Sequence, residues 1–259
     1  MKYKGFVFDL DGTLYLGDRV IAGAVEALDG VRRRGARVAF VTNKPLFTRA
    51  EYAQKLARLG FDASPDEIIT SALVMAEKLA REDCGIPVLC LGESALRREL
   101  EEKGVKLTEN AREARIVLVA FDRGFNYDKL NAALQALRAG AKLYLTNPDV
   151  TCPVEGGVVP DAGAIVEAVK AASRREVDAI AGKPSDLMAR AVLDHFGLPP
   201  QQILLVGDRL ETDIAMGRRA GFATAVVLTG ITRREMLDAS PHKPDYVLES
   251  IAELSRLET

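Results

Sequence analysis

The sequence predicts an α/β fold, a Rossmann-like doubly wound parallel sheet carrying a smaller inserted α/β segment, and three observations carry that expectation. Short apolar runs alternate with amphipathic stretches along most of the 259 residues, which is the order of a parallel sheet wound with helices. Two of the runs stop abruptly in acid: Phe6-Val7-Phe8-Asp9-Leu10-Asp11, and Ile203-Leu204-Leu205-Val206-Gly207-Asp208. Between them lies a stretch in which the strand and helix rhythm starts afresh without an acidic strand end. Residues 82–175 are therefore expected to form the insertion, and residues 1–81 with 176–259 the core.

The first acidic run sets the chemistry. Residues two apart on a strand share a face, so Asp9 and Asp11 can enter one pocket at the carboxyl end of a strand, where open α/β sheets place their ligands. Two ionised carboxylates ~4 Å apart repel by roughly 4 kcal/mol at an effective dielectric near 20. A divalent cation is the simplest counter-charge, and Mg²⁺ suits one or two carboxylates with waters and a phosphate. Taken alone, Asp11-Gly12-Thr13 also reads as a turn with a capping threonine.

The elements follow in order. Tyr15 to Ile21 alternates around Gly17-Asp18 as a small hairpin. Gly23 to Arg34 has apolar residues at helical spacing (Ala24, Ala27, Leu28, Val31) and ends at Gly35. Ala36 to Val41 is a second buried strand, running out into Thr42-Asn43-Lys44. Thr48 with Glu51 forms a capping box that opens a helix, and Ser64-Pro65-Asp66-Glu67 reads as another helix start. Ile68 to Thr70 is a short strand and Ala72 to Arg81 a helix. In the insertion come strands at Val88–Leu91, Ile116–Phe121 and Leu143–Leu145, with helices at Leu96–Lys103 and Tyr127–Arg138. The first rhythm resumes at Ala179-Ile180-Ala181-Gly182-Lys183-Pro184, followed by a helix over Asp186–Phe196, the second acidic strand, a helix over Ile214–Ala220 and a strand over Ala223–Leu228.

Composition excludes several classes of function. The net charge is −2, so there is no basic footprint for nucleic acid; Arg32-Arg33-Arg34 is read as a helix end complementing its dipole. No apolar run approaches the ~20 residues of a bilayer span, and no signal-peptide pattern precedes the first strand, so a cytoplasmic chain without a membrane partner is expected. Three cysteines with no C-x-x-C pair and two histidines argue against a disulfide framework and a histidine-based zinc site. Neither the identity of a substrate nor the assembly state is encoded legibly, and a homo-oligomer is compatible with the pattern.

Four strand or loop ends thus carry complementary groups: Asp9 and Asp11, Thr42 and Asn43, Lys183, and Asp208 with Asp213. They supply a nucleophile, a second acid, hydroxyl and amide donors, a fixed cation and metal ligands, the inventory for moving a phosphoryl group. Bland alternatives stand beside each: a turn at Thr42-Asn43, a surface lysine at 183, a turn acid at 208. Asp213 either supports the metal from behind or is a helix N-terminal acid stabilised by the dipole.

In these motifs the chain resembles the haloacid dehalogenase superfamily of phosphatases, matching Asp9-x-Asp11-x-Thr13, Thr42, Lys183 and Asp208-x₄-Asp213. The position of the insertion, with Val41-Thr42-Asn43, Thr146-Asn147-Pro148-Asp149, Asp161-Ala162-Gly163-Ala164-Ile165 and Gly182-Lys183-Pro184, is similar to the NagD and p-nitrophenyl phosphatase branch. Lys44 departs from the second asparagine of many relatives, which bears on the charge of the phosphate loop.

The resemblance implies a Rossmann-like core under a smaller α/β cap, and a Mg²⁺-dependent phosphatase acting on a small phosphorylated metabolite. Asp9 would be the nucleophile, forming an aspartyl-phosphate, and Asp11 the acid and base. Thr42, Asn43 and Lys183 would bind phosphate; Asp9, Asp208 and the Asp11 backbone carbonyl would hold Mg²⁺. To act as an acid near neutrality, a carboxyl held near pKa ~6 needs roughly 3 kcal/mol of environmental shift from its model ~3.9, which a covered pocket can provide.

By the same resemblance the cap loop of residues 146–153, with Asn147, Asp149 and Cys152, would contact the leaving group, although Cys152 also reads as a buried small hydrophobe. Alternatives are a phosphotransferase or phosphomutase of the same superfamily, and a phospho-receiver module. The receiver is disfavoured by length and by the insertion. A metal-free dehalogenase is disfavoured by Asp11.

Overall fold

The structure, a computed structural model of the chain, describes residues 2–154 and 157–257. In chain order the elements are β1 (Gly5–Asp9), β2 (Tyr15–Leu16), β3 (Arg19–Val20), α1 (Ala24–Arg33), β4 (Arg37–Thr42), α2 (Arg49–Arg58), β5 (Ile68–Thr70), α3 (Ser71–Glu82), β6 (Val88–Leu91), α4 (Ser94–Glu102), β7 (Ile116–Val119) and α5 (Tyr127–Arg138). Then follow β8 (Lys142–Leu145), β9 (Thr151–Val154), β10 (Gly157–Pro160), α6 (Ala162–Ser173), β11 (Ala179–Ile180), α7 (Asp186–Phe196), β12 (Ile203–Gly207), α8 (Ala215–Ala220), β13 (Ala223–Val227), α9 (Met236–Ala239) and β14 (Tyr246–Leu248).

These elements divide into two compact units. The first comprises Met1–Thr42, Arg49–Ile69 and Lys183–Thr259, the second Asn43–Thr48 and Thr70–Gly182. The second unit therefore starts earlier and ends later than the expected 82–175. Its physical reason at the far end is β11, which pairs in parallel with β8, Ala179 beside Tyr144. A strand of two residues carries too little pattern to show its partner. The near end moves because α3, opened by Thr70 accepting from the Leu73 N–H at 3.0 Å, belongs to the second unit.

The first unit is built on a sheet of order β14-β13-β12-β1-β4-β5. β1 is buried along its whole length, as a central parallel strand covered on both faces must be. Phe6 and Phe8 point one way, their rings 6.3 Å apart, into a core with Leu28 and Val31 of α1 and Tyr52 and Leu56 of α2. On the other face Val7 lies beside Leu205. There α8 packs so closely that a side chain on Gly217 would strike Thr224 and reach Leu205. Helices thus cover both faces, as the alternation predicts.

From β1 the chain builds outward through β4 and β5, then returns to place β12 on the opposite side of β1. The junction of β1 and β12 is the point where strand order reverses, and the crevice outside the carboxyl ends of such strands is where this architecture binds ligands. Both strands meeting there end in acid.

The second unit carries a parallel sheet of order β11-β8-β7-β6 and a two-stranded antiparallel sheet of β9 and β10. Leu89, Leu91, Val117, Val119, Leu143 and Leu145 form its core with α5 and α6. The hairpin β9–β10 and helix α6 were not among the expected elements. Conversely, the helix expected from Ser64-Pro65-Asp66-Glu67 is one 3₁₀ turn: its capping box forms, but the chain enters β5 at Ile68. A capping box satisfies local backbone donors and does not guarantee a helix long enough to propagate.

Candidate active site

Register brings the site together before any side chain is considered. Phe8 lies beside Val206 and Asp9 beside Val41, so Asp9, Thr42 and Asp208 leave three adjacent strands at one edge of the sheet. Gly12, at φ 90, turns the chain away after Asp11, a conformation that glycine adopts without steric cost. The turn closes back on the hairpin β2–β3 through the Gly12 N–H donating to the Tyr15 carbonyl at 2.8 Å. Asp11 bridges Tyr15 there.

Asp9, Lys183, Asp208 and Asp213 are all buried. Lys183 Nζ donates to Asp9 Oδ1 at 2.5 Å and to Asp213 Oδ1 at 2.6 Å. Asp213 sits in a turn of π-helix over Leu210–Ile214 that leads into α8; its Oδ2 accepts the Arg209 N–H at 3.1 Å. A side chain on Gly207 would strike the Asp213 carboxylate, so this glycine lets the acid lie against the end of β12. Thr13 Oγ1 reaches Asp9 Oδ2 at 3.5 Å. Carboxylate oxygens of Asp9, Asp208 and Asp213, one from each, lie within 4.8 Å of one another.

The electrostatics follow from this packing. One ammonium is bonded to two of the three clustered carboxylates, and burial disfavours a charged form. Burial lifts the Asp9 carboxyl well above the usual carboxylate range; Lys183 opposes the rise, and Asp213 and Asp208 add to it. Asp208 is pushed up to about 7, first by burial and then by the charge of Asp213. For Lys183 burial works toward deprotonation, but the charges of Asp213 and Asp9 outweigh it and hold the ammonium more firmly than usual.

This donor set fits a hard divalent cation. The candidate ligands are carboxylate oxygens, they are close together, and the surplus of acid over base is what a bound cation would relieve. The acids within reach of one ion are Asp9, Asp208 and Asp213. Asp11, expected to contribute its backbone carbonyl, does not bring its carboxylate into that group among the described residues.

Other expected residues fall into place differently. Thr42 is buried at the end of β4. Asn43, the next residue, belongs to the second unit: its Nδ2 donates to Asp149 Oδ2 at 2.8 Å, and its carbonyl accepts from Ser71 Oγ at 2.7 Å. Asn147 is buried and donates to Asp149 Oδ2 at 3.3 Å and Asp161 Oδ1 at 3.1 Å. Asp161 also caps α6. Cys152 is buried in β9, paired with Val159. Of the loop 146–153, the side chain of Pro153 lies outside the described residues.

Sequence reasoning missed the loop after β13. Ile231 N–H donates to Asp208 Oδ2 at 2.7 Å, and Thr229 Oγ1 donates to the Gly12 carbonyl at 2.7 Å. The only sequence signal is a Thr-Gly pair just beyond a strand, which ordinarily marks a turn.

This geometry places the chain in a class, and comparison with known proteins agrees. A model described as haloacid dehalogenase-like hydrolase matches residues 6–106, and one described as HAD-hydrolase-like matches residues 180–254. The sugar-phosphatase AraL of Bacillus subtilis (strain 168) is 34% identical over 253 residues, covering 98% of this chain and 92% of the relative. The 4-nitrophenylphosphatase structure from Thermotoga maritima superposes with a TM-score of 0.94 at 34% identity, covering 100% of this chain and 98% of that one. NagD from E. coli K-12 gives 0.89 at 31% identity, with 98% of each chain covered. The chain belongs to the haloacid dehalogenase-like hydrolases. Within them it is a phosphatase of the NagD-like branch.

Proposed function

We propose that this enzyme hydrolyses small phosphomonoesters, sugar phosphates foremost, through a phosphoryl group carried on Asp9 in a Mg²⁺-dependent reaction. The supporting observation is the convergence of Asp9, Lys183, Asp208 and Asp213 in one buried cluster where β1 and β12 meet. The sugar-phosphatase and nitrophenylphosphatase relatives supply the substrate class.

In the proposed reaction a carboxylate oxygen of Asp9 attacks phosphorus, forming an O–P bond as the bond to the ester oxygen breaks. Asp11 gives its proton to that oxygen, so the product leaves as an alcohol. Asp11 then takes a proton from water while the water oxygen attacks phosphorus, the Asp9–phosphate bond breaks, and inorganic phosphate and free Asp9 are released. Splitting the hydrolysis this way replaces one difficult step with two easier ones.

Lys183, already aligned on Asp9, balances charge on the phosphoryl oxygens, assisted by Thr42 and Asn43. Asp9 and Asp208 would hold Mg²⁺ with the Asp11 carbonyl, and Asp213 would keep Lys183 charged and in place. When bound, the ion supplies charge stabilisation for the phosphoryl oxygens and offsets the surplus of buried acid.

The division of labour continues this reading. We assign the reacting groups to the first unit and the choice of leaving group to the second, the cap, with Asn147, Asp149 and Cys152 as its candidates. Acid-quenching the enzyme with ³²P-labelled sugar phosphate tests the scheme: the label is expected on Asp9 and absent in Asp9→Asn. A label on any other residue, or steady turnover by Asp9→Asn, would overturn it.

A further inference from the structure

We propose that residues 228–232, the loop following β13, are the positioning device for Asp208: they fix which of its carboxylate oxygens is presented to the ion and tie it to the turn after Asp9. The inference rests on reading Asp208 as a metal ligand and concerns what holds that ligand still.

Two backbone segments, the loop after β13 and the turn at Gly12, converge on Asp208. Ile231 N–H donates to Oδ2 at 2.7 Å, and Thr232 N–H donates to the Asp208 carbonyl at 3.1 Å. Between β13 and those donors stands Gly230, where any side chain would overlap Oδ2, Cγ and Cβ of Asp208 together. A side chain on Gly12 would likewise meet Asp208 Oδ2 at 2.5 Å and Cγ at 2.7 Å, and would lie 3.0 Å from Gly230 Cα. Thr229 then locks the two glycine segments to each other, its hydroxyl donating at 2.7 Å to the carbonyl of Gly12, 217 residues away in sequence.

The chemistry explains why such a clamp is useful. A carboxylate can rotate and exchange its two oxygens, and a buried one beside Asp213 would otherwise turn to whichever donor relieves its charge. A backbone N–H on Oδ2 fixes the plane of the group and leaves Oδ1, which accepts no hydrogen bond from the described residues, as the oxygen available to a cation. Groups that orient metal ligands in this way typically carry 10–100-fold in affinity.

An ordinary turn accounts for less of this. Closing a turn after β13 needs neither a glycine pressed against a buried carboxylate nor a threonine hydroxyl bonded to the loop of another strand. Both features are explained if the loop, the Gly12 turn and Asp208 form one rigid seat.

The test is Mg²⁺ binding to the full chain without substrate, by titration calorimetry and by the Mg²⁺-induced shift in unfolding temperature. Gly230→Ala, which must displace Asp208, is expected to weaken Mg²⁺ at least about tenfold. Thr229→Val is expected to weaken it about three- to fivefold, the scale of one lost hydrogen bond, and Thr229→Ser to restore wild-type affinity. The serine rescue separates the hydroxyl from mere packing.

If Gly230→Ala does not fold, the Thr229 pair decides. Wild-type binding with unchanged affinity in Thr229→Val, or in a folded Gly230→Ala, overturns this inference while leaving the proposed function intact. A wild-type chain that binds no Mg²⁺ by either measurement overturns the ligand reading beneath both.

Discussion

Strands β1 and β12 of the larger sheet run out into Asp9 and Asp208, and strands β6 and β7 of the smaller sheet run out into Glu93 and Asp122, yet the four acids sit in opposite electrostatic conditions. In the smaller sheet each acid has its own base. Arg123 grips Glu93 with two bonds of 2.7 Å, and those bonds hold the Glu93 carboxyl below its usual range. Asp122, though buried, accepts from Lys129 at 2.6 Å and from the Gly124 N–H at 2.9 Å. In the larger sheet Lys183 is bonded to both Asp9 and Asp213, the third buried acid, Asp208, accepts only the Ile231 N–H on its carboxylate among the described residues, and the pKa values of Asp9 and Asp208 rise. Identical burial rules build both sheets; the imbalance of charge at the strand ends distinguishes a cluster with surplus acid from one in which each acid is paired.

The comparison breaks most visibly under substitution of the acids themselves. Asp9→Asn should lower kcat by about 10⁴-fold or more, the scale seen when a covalent nucleophile is removed. Its metal-free unfolding temperature should hold or rise, because one surplus buried charge is gone. Asp122→Ala should do the reverse: kcat on p-nitrophenyl phosphate within about threefold of wild type, but stability lower by about 1–3 kcal/mol through a buried ion pair left half made. Parallel kinetics and thermal melts of the two variants check both halves. A destabilised Asp9→Asn would show that the larger cluster is balanced after all.

Metal removal sharpens the same contrast. Exhaustive chelation should abolish turnover, and restoring Mg²⁺ to about 100 times its dissociation constant should add about 2.7 kcal/mol of stability. That gain should vanish in Asp208→Asn and persist in Glu93→Gln. Thermal melts with and without Mg²⁺ make the measurement; an equal gain in both variants would place the ion elsewhere.

Much of this was legible in the sequence, and the part that was not has physical causes. β1 announces itself because a fully buried parallel strand must be apolar until it reaches the sheet edge, so Asp9 stands out. Lys183 is legible through the Gly182 and Pro184 that frame it. Asp213 is ambiguous in the sequence, since an acid near a helix start serves equally as dipole partner and as support for a metal; its 2.6 Å contact to Lys183 is a tertiary pairing that neither pattern announces. The loop at Thr229–Thr232 carries no more than a turn signal in the sequence, because it meets Asp208 through backbone N–H groups and through the lack of a side chain at Gly230. The pairing of β11 with β8 is not legible because β11 has two residues, and the partners of so short a strand are set by tertiary packing alone.

The smallest expected effect concerns pH, and it also separates the units, since both histidines, His195 and His242, lie in the first. His195, half-buried on α7, has its pKa lowered by burial and by Arg37, against the Val38 carbonyl, Glu67 and Asp66, which raise it. The folded state therefore binds this proton less readily than the unfolded chain. Between the lowered folded value and the unfolded value near 6.5 the unfolded state holds more protons, so stability rises with pH across that window. Stability from this group is complete above the unfolded value and is lost as pH falls below it. Wild type compared with His195→Gln, both under saturating Mg²⁺ so that protonation of the acid cluster does not enter, should diverge as pH drops from 8 to 5.5. The divergence should be about 1 °C in unfolding temperature, less than the 2–4 °C that about 1 kcal/mol produces in a chain near this size, because the ring is only partly withdrawn from water. A difference that grows toward high pH would reverse the sign and show that the neutral ring, not the charged one, is disfavoured in the fold.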